Sequence, residues 1–466
     1  MQIVQNKKFN SLIICFGLFF LILGLPDKFF ASEKVQTILA IGALMFSLWV
    51  TETFPIAITS LIPILLFPVM DVMDINKTAS YYGSKIIFLF LSGFILALAL
   101  EKWHLNKRIA LNILKLTGNG PRNILLGFML ATALLSMWIS NTATTVMMLP
   151  IALSMIYAID DNPDPNFSKT LMIAIAYAAS IGGIATIIGT PPNAILVNYL
   201  SESQNYDISF FFWFVRFLPL TIIVLMGVWA FLAFFKLKNT AMPTSKTTEV
   251  IDKELKKLGA MSYEEKLVMS IFAFTALSWI FKGLLPFKID DVAIGIFGAA
   301  LMFIVPCKNS DDYLLNWGDT KNLSWGTLLL FGGGFALAKG MENSGFIDII
   351  GNYIEHISQG KLIIALLVSI FIAIFLTEFM SNLALTAIIV PVLAAISITY
   401  TGNPLALSMP AAVATSCAFM TPMATPPNAI VFSSGFIKMK DMIKTGIFCN
   451  LFSFVTIFIY AKLVIN

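Results

Sequence analysis

Apolar residues fall along this chain in long unbroken runs, not in the alternation of a strand or the single stripe of a surface helix. Runs near 11–30, 35–54, 56–70, 86–101, 169–200, 211–235, 265–284, 291–306, 324–340, 407–430 and 446–464 have the length and low polarity of membrane-crossing helices. Lipid offers no partner to backbone N–H and C=O groups, so only helices or a closed barrel can cross it. Barrel strands would read as short alternating segments, and these runs do not. The pattern predicts an all-α polytopic membrane protein with about eleven transmembrane helices.

Two further regions, 123–158 and 361–400, are apolar over about twice a span length and are interrupted near the middle. The first break is Ser140-Asn141-Thr142-Ala143-Thr144-Thr145; the second runs from Thr377-Glu378 to Ser381-Asn382. A polar break halfway along such a segment predicts two half-helices meeting at a tip. Such a re-entrant hairpin is tolerated at membrane depth only where its backbone faces protein or a water-filled cavity.

Composition narrows the class further. Hydrophobic residues make up 58% of the 466 positions and charged residues 12%, about half the charge of a soluble protein. That excludes a string of soluble domains. The cysteines (Cys15, Cys307, Cys417, Cys449) lie far apart, and the histidines are His104 and His356 alone. No disulfide scaffold, zinc site, iron–sulfur cluster or haem is expected. Lys7 and Lys8 before the apolar run Ser11–Leu25 imitate a signal peptide. No small-residue cleavage site follows and Asp27-Lys28 reads as a loop, so residues 1–34 are expected to hold an uncleaved first span.

Charge then sets an expected orientation. With the N-terminus cytoplasmic, Lys102, Lys107, Arg108, Lys115 and Arg122 fall inside, as do the lysines of 236–266 and Lys438, Lys440 and Lys444. The acidic loop from Ser201 to Asp207 falls outside, and so does the C-terminus. A net charge of +4 carried by such loops needs no nucleic-acid partner. The expected location is the cytoplasmic (inner) membrane.

The basic stretch 236–264 reads as a cytoplasmic linker between two halves, 35–235 and 265–466, that resemble each other. Gly93 and Asn141 stand as far apart as Gly334 and Asn382, and Thr-Pro-Pro-Asn-Ala-Ile occurs at 190–195 and again at 425–430. These matches indicate an internal duplication. An odd number of spans per half requires the second copy to be inverted. Inverted repeats with broken helices mark secondary transporters, and the paired breaks point to the binding site.

The chemistry at the breaks fits that class. Each Pro-Pro pair removes two backbone donors and bars helical geometry before it, freeing carbonyls near Gly189 and Ala424. Freed carbonyls, hydroxyls and asparagine amides are hard neutral ligands for a small monovalent cation such as Na⁺. Half-helix N-termini after the breaks offer N–H groups and a positive dipole end to an anion. No Arg or Lys stands at either break, so bound cations must supply fixed positive charge, and two matched donor sets suit an anion charged at both ends.

These residues resemble the divalent anion:sodium symporter family, whose bacterial INDY-like members carry C4-dicarboxylates, over almost the whole chain after the first span. Ser140-Asn141-Thr142 matches the family's hairpin motif, and Thr415, Ser416, Phe419, Pro422, Met423-Ala424, Asn428 and Ile430-Val431 match its signature. The resemblance implies scaffold and transport domains, a homodimer in lipid, and elevator movement. It implies a first sodium site of Ser136, Ser140, Asn141 and Gly189, and a second of Thr377, Met380 (backbone), Asn382 and Ala424. It further implies substrate contacts from Asn141, Thr142, Thr190, Pro191, Asn382, Thr425 and Pro426. The second tip departs from the pattern, with Leu383 where many bacterial relatives have Thr. The implied activity is sodium-coupled symport of succinate, malate or fumarate. Sodium-independent exchange, or carriage of sulfate or citrate, is the alternative within the family.

Other polar residues have competing readings. Glu378, in an apolar context, either relays protons or orients the hairpin tip. Glu52, before Pro55, reads as interfacial, and Lys102 to Lys115 around His104 as an amphipathic surface helix joining domains. Gly332-Gly333-Gly334 lacks the Gly-Lys-Ser/Thr that a phosphate loop requires and reads as close helix packing. An intramembrane enzyme would need a Ser/His pair, paired Asp residues or H-E-x-x-H, and none is present.

Overall fold

A computed structural model describes residues 2–26, 29–51, 53–159, 164–237, 244–284, 289–308, 310–346, 349 and 361–465. Glu52, His356 and the loop residues Asp27 and Lys28 lie outside them. The described chain is helical, with one isolated bridge between Pro306 and Tyr313.

The chain opens with α1 (Gln2–Gly24) and α2 (Glu33–Thr51). The window 56–70 is not one continuous helix. It divides into α3 (Ile56–Thr59) and α4 (Ile62–Val69), because Pro63 in the first turn of α4 has no N–H to donate to the Thr59 carbonyl; Pro55 precedes α3 and Pro68 lies within α4. A short α5 (Ile75–Ser80), capped by the Asp74 side chain, leads to α6 (Lys85–Lys102). The amphipathic helix expected after it is α7 (Leu105–Thr117), entered through His104 in a left-handed conformation (φ 55°).

The first hairpin is α8 (Pro121–Ser136), a turn, and α9 (Asn141–Ile159). The window 169–200 then appears as α10 (Pro165–Gly182), a short 3₁₀ turn, and α11 (Pro191–Gln204), broken before the predicted Pro-Pro pair. α12 (Phe210–Phe231) closes the half and runs into a π-helical turn, Leu232–Lys236. The second half has α14 (Tyr263–Phe281), α15 (Asp291–Ile304) and α16 (Trp325–Asn343). There follow a hairpin of α17 (Leu362–Leu376) and α18 (Asn382–Thr401), a broken pair α19 (Leu405–Ala414) and α20 (Pro426–Phe432), and a closing α21 (Met439–Tyr460). Hairpin, broken helix and closing helix thus recur in the same order.

The linker is more than a loop. Residues Thr244–Leu258 form α13, between α12 and α14, which buries Ile251 and is pinned to α7 by Lys107–Glu254 (2.9 Å) and Lys115–Asp252 (2.7 Å). Arg108 on α7 holds Glu265 at 3.0 Å and donates to the carbonyls of Leu258 and Gly259. Alternating Lys and carboxylate positions concealed this helix within a stretch that reads simply as polar.

Among the described residues, six helices are long and apolar enough to cross a membrane by length and composition alone. Two of the six belong to interrupted segments, the half-helix α10 and the hairpin arm α18, whereas α8, α17 and α19 fall short of that length. Small residues bring backbones together. A Cβ on Gly333 would meet the Ser60 carbonyl oxygen at 2.2 Å, and one on Gly182 would meet that of Ala133 at 2.3 Å. The glycine triplet is therefore a packing surface, as its apolar setting suggests.

Candidate functional site

Both hairpin turns are held by a hydroxyl five residues before an asparagine. Ser136 Oγ lies 2.6 Å from one end of the Asn141 amide and 2.7 Å from the Ala179 carbonyl oxygen. Thr377 Oγ1 lies 2.6 Å from Asn382 Oδ1 and 3.1 Å from the Thr415 carbonyl oxygen. Ser136 and Thr377 are fully buried. The same end of the Asn141 amide stands 3.1 Å from Ala179 O and 3.3 Å from Gly189 O. With nitrogen there, the amide has two N–H groups to share among the three oxygens; with oxygen there, the Ser136 hydroxyl is the one donor among four oxygens. Gly183 and Gly189 permit this crowding, since a Cβ on Gly183 would meet Asn141 Oδ1 at 2.7 Å.

The broken helices repeat one arrangement. Asn193 Nδ2 donates to the carbonyls of Gly183 (3.1 Å) and Thr186 (2.8 Å), while Asn428 Nδ2 donates to those of Ala418 (3.0 Å) and Thr421 (2.9 Å). Each asparagine thereby satisfies carbonyls that the Pro-Pro break leaves without helical partners. Thr190 and Thr425 stand at the N-cap positions of α11 and α20, where the Thr425 hydroxyl alone accepts from the helix, from the Asn428 N–H, and Pro occupies the first two positions of each helix. These two ends have consequently lost donors. The N–H groups available to an anion come mainly from the hairpin helices, which start at Asn141 and Asn382.

All four ends meet at one cavity of about 440 Å³. Every residue expected to touch substrate lines it: Asn141, Thr142, Thr190, Pro191, Asn382, Thr425 and Pro426. Of the expected ion ligands, Ser140, Asn141, Gly189, Asn382 and Ala424 line it too, whereas Ser136 and Thr377 sit behind the tips and Met380 is buried beside the second. Among the described residues that line it, none is charged. Leu383 reaches the cavity, so its hydrocarbon side chain stands where a hydroxyl would otherwise face the interior. Ser324, Thr327, Phe90 and Phe94 also line it and escaped the sequence reading. They lie on α6 and at the start of α16, outside the duplicated breaks. The only hint was two hydroxyls opening an apolar run.

The two tips are anchored differently. The Trp138 ring stacks on Phe210 (5.8 Å between centroids) and Trp279 (6.5 Å) and meets Phe272 edge-on at 5.2 Å. At the second tip the Glu378 carboxylate accepts from the N–H groups of Phe419 (2.6 Å), Met420 (2.8 Å) and Thr421 (3.0 Å) and from Asn450 Nδ2 (2.8 Å). Every one of these partners is a donor to the carboxylate. Of the two readings of Glu378, the geometry supports orientation of the tip.

Broken helices and hairpin tips meeting at a neutral cavity within an apolar helical frame define a multi-pass membrane transporter. A family model described as the sodium:sulfate symporter transmembrane region matches residues 6–465, and the chain belongs to that family. A sodium-dependent dicarboxylate transporter, SdcS, of Staphylococcus saprophyticus is 40% identical over 97% of this chain and 91% of its own length. SdcS of Staphylococcus aureus is 42% identical over 90% of this chain and 84% of its own. Among solved structures, the Alcanivorax borkumensis YdaH transporter superposes with a TM-score of 0.57 at 13% identity, covering 84% of this chain and 87% of that one. MtrF of Neisseria gonorrhoeae gives 0.57 at 12% identity, covering 86% and 84%. At such identity these two speak to the fold alone.

Proposed function

We propose that this protein couples the entry of sodium to symport of C4-dicarboxylates such as succinate, malate or fumarate. The observation that carries this reading is the convergence of both Ser-Asn tips and both Thr-Pro-Pro-Asn breaks on one cavity without a charged side chain. A dianion in such a place needs cations beside it, and the oxygens around Asn141 and Asn382 are suited to hold them. The names of the Staphylococcus relatives support the same substrate and ion.

The first ion is assigned to Ser136, Ser140, Asn141 and Gly189, the second to Thr377, the Met380 backbone, Asn382 and Ala424. Before sodium arrives, the Asn141 amide turns its N–H₂ toward Ser136, Ala179 and Gly189; sodium entry rotates the carbonyl inward and turns the amide protons toward the cavity. The substrate carboxylates then meet the Asn141 and Asn382 amides and the hairpin helix end at Thr142, with the hydroxyls of Thr190 and Thr425 beside them and the rings of Pro191 and Pro426 as walls. Ion binding thus prepares the anion site, which gives coupling without a fixed cation.

The same reading includes two inverted repeats, about eleven spans with two re-entrant hairpins, an elevator-type transport domain within a homodimer, a cytoplasmic N-terminus and an external C-terminus. The matched bonds of Asn193 and Asn428 support the duplication. The test is uptake of radiolabelled succinate into proteoliposomes with and without an inward sodium gradient. Sodium-driven accumulation is expected. Uptake that needs internal dicarboxylate and ignores sodium would make the protein an exchanger.

A further inference from the structure

The π-helical turn Leu232–Lys236 ends beside the first turns of α10 and α21, and the three segments enclose a small cavity of about 70 Å³ remote from the substrate cavity. Among the described residues, Lys169, Lys236 and Lys444 line it against a single carboxylate, Asp441. Asp441 is engaged by Lys169 at 3.2 Å. Among the described residues neither Lys236 nor Lys444 forms an ion pair; Lys236 rests over the Phe231 ring at 5.6 Å. Asp164 is occupied in capping α10 through the Asn166 N–H. Two helix N-termini add partial positive charge to the same spot, that of α21 being capped by no side chain.

Three ammonium groups around one small cavity repel one another, and the natural remedy is an anion with several acceptor oxygens. The surroundings indicate where that anion comes from. Next to the lysines, Phe234 and Phe235 are 48% and 73% exposed, and Ile447 and Phe448 are 40% and 42% exposed. Phe448 stacks on Phe231 with centroids 3.7 Å apart. An apolar wall beside a basic cavity at helix ends matches acyl chains beside a phosphate headgroup. We propose that this cavity binds the phosphate of an anionic phospholipid, with Lys236 and Lys444 as its unpaired cations and the phenylalanine wall against its acyl chains.

Native mass spectrometry of the full-length protein, titrated with phosphatidylglycerol, phosphatidylcholine or inorganic phosphate, tests this. One phosphatidylglycerol should bind at least tenfold more tightly than phosphatidylcholine, by roughly the contribution of surface lysines to an anionic headgroup. The double variant Lys236→Gln/Lys444→Gln should lose roughly 30-fold, and Lys321→Gln, on a distant turn, should lose nothing. Because the Lys444 side chain is exposed, Lys444→Gln alone keeps the test valid should the double variant not fold. Equal affinity for the two lipids, or unchanged phosphatidylglycerol affinity in the lysine variants, overturns the proposal. Inorganic phosphate binding as tightly as the lipid and displacing it would assign the cavity to a free anion and overturn the lipid assignment.

Discussion

Glu378 gives the sharpest test of how the second ion site is held. Its carboxylate is 1% exposed and accepts four hydrogen bonds, three from the backbone of 419–421 and one from Asn450. Its neighbours on either side, Thr377 and the turn leading to Asn382, supply one face of the proposed second ion site. Residues 419–421 lead to Ala424 on the other face, and Asn428 fixes the Thr421 carbonyl between them. The carboxylate therefore sets the separation of the two faces.

In Glu378→Gln the amide oxygen can still serve the Phe419, Met420 and Asn450 donors, but its N–H₂ then confronts the Thr421 N–H. One hydrogen bond to a charged group is lost, worth about 1.5–3 kcal/mol. If that loss falls on the ion-bound geometry, the sodium concentration for half-maximal uptake rises roughly 10–100-fold. Glu378→Leu strands four buried donors at about 1–3 kcal/mol each, comparable to the entire stability of an ordinary domain, and should not accumulate as folded protein. Sodium titration of succinate uptake, with thermal unfolding as the folding control, reads both. A Gln variant with the wild-type sodium midpoint, or a Leu variant that melts with wild type, would contradict this role for Glu378.

Asn141→Ala and Asn382→Ala should each abolish uptake while the protein still elutes as wild type on size exclusion, because each removes a ligand from the cavity and little packing; normal transport by both variants contradicts the assignment. Leu383→Thr should alter substrate preference or the KM for dicarboxylates more than the melting temperature, since the side chain faces the cavity; unchanged kinetics would mean it does not meet substrate. Hydrogen bonds from Lys257 and Lys107 hold the Glu254 carboxyl below the usual carboxylate range. A lowered folded-state pKa adds stability above the unfolded value, about 4.3, and that stability disappears as pH falls through the folded value. Hydrogen exchange of 244–258 should therefore quicken selectively on acidification below about pH 4, and exchange that is independent of pH after correction for the intrinsic rate would contradict it.

Much of this site was legible because duplication made local chemistry conspicuous. One Asn in an apolar segment usually bonds to a neighbouring helix. Two at matched distances from Gly93 and Gly334, each paired with a Thr-Pro-Pro-Asn break, pointed to a shared cavity, and the tips and breaks do line one. What lay outside the repeat was hidden. Ser324, Thr327 and Phe90 reach the cavity through packing between α6 and α16, which no periodicity encodes. Helix α13 was obscured because its apolar stripe is short, Ile251, Leu255 and Leu258, and is set among many lysines and carboxylates. The prolines at 55, 63 and 68 were visible, yet their effect on the window 56–70 was outweighed there by its hydrophobicity. The different anchors of the two tips, Trp138 in one and Glu378 in the other, could not be found by symmetry because they depart from it.

In the proposed mechanism neutral oxygens gather sodium, and sodium prepares the place for the dianion. Equilibrium binding of succinate to the purified protein, measured across sodium concentrations at constant ionic strength with choline as replacement, tests this most directly. Succinate affinity is expected to rise steeply with sodium, and Asn141→Ala and Asn382→Ala are each expected to flatten the dependence. Succinate affinity that is the same in sodium and in choline would contradict it.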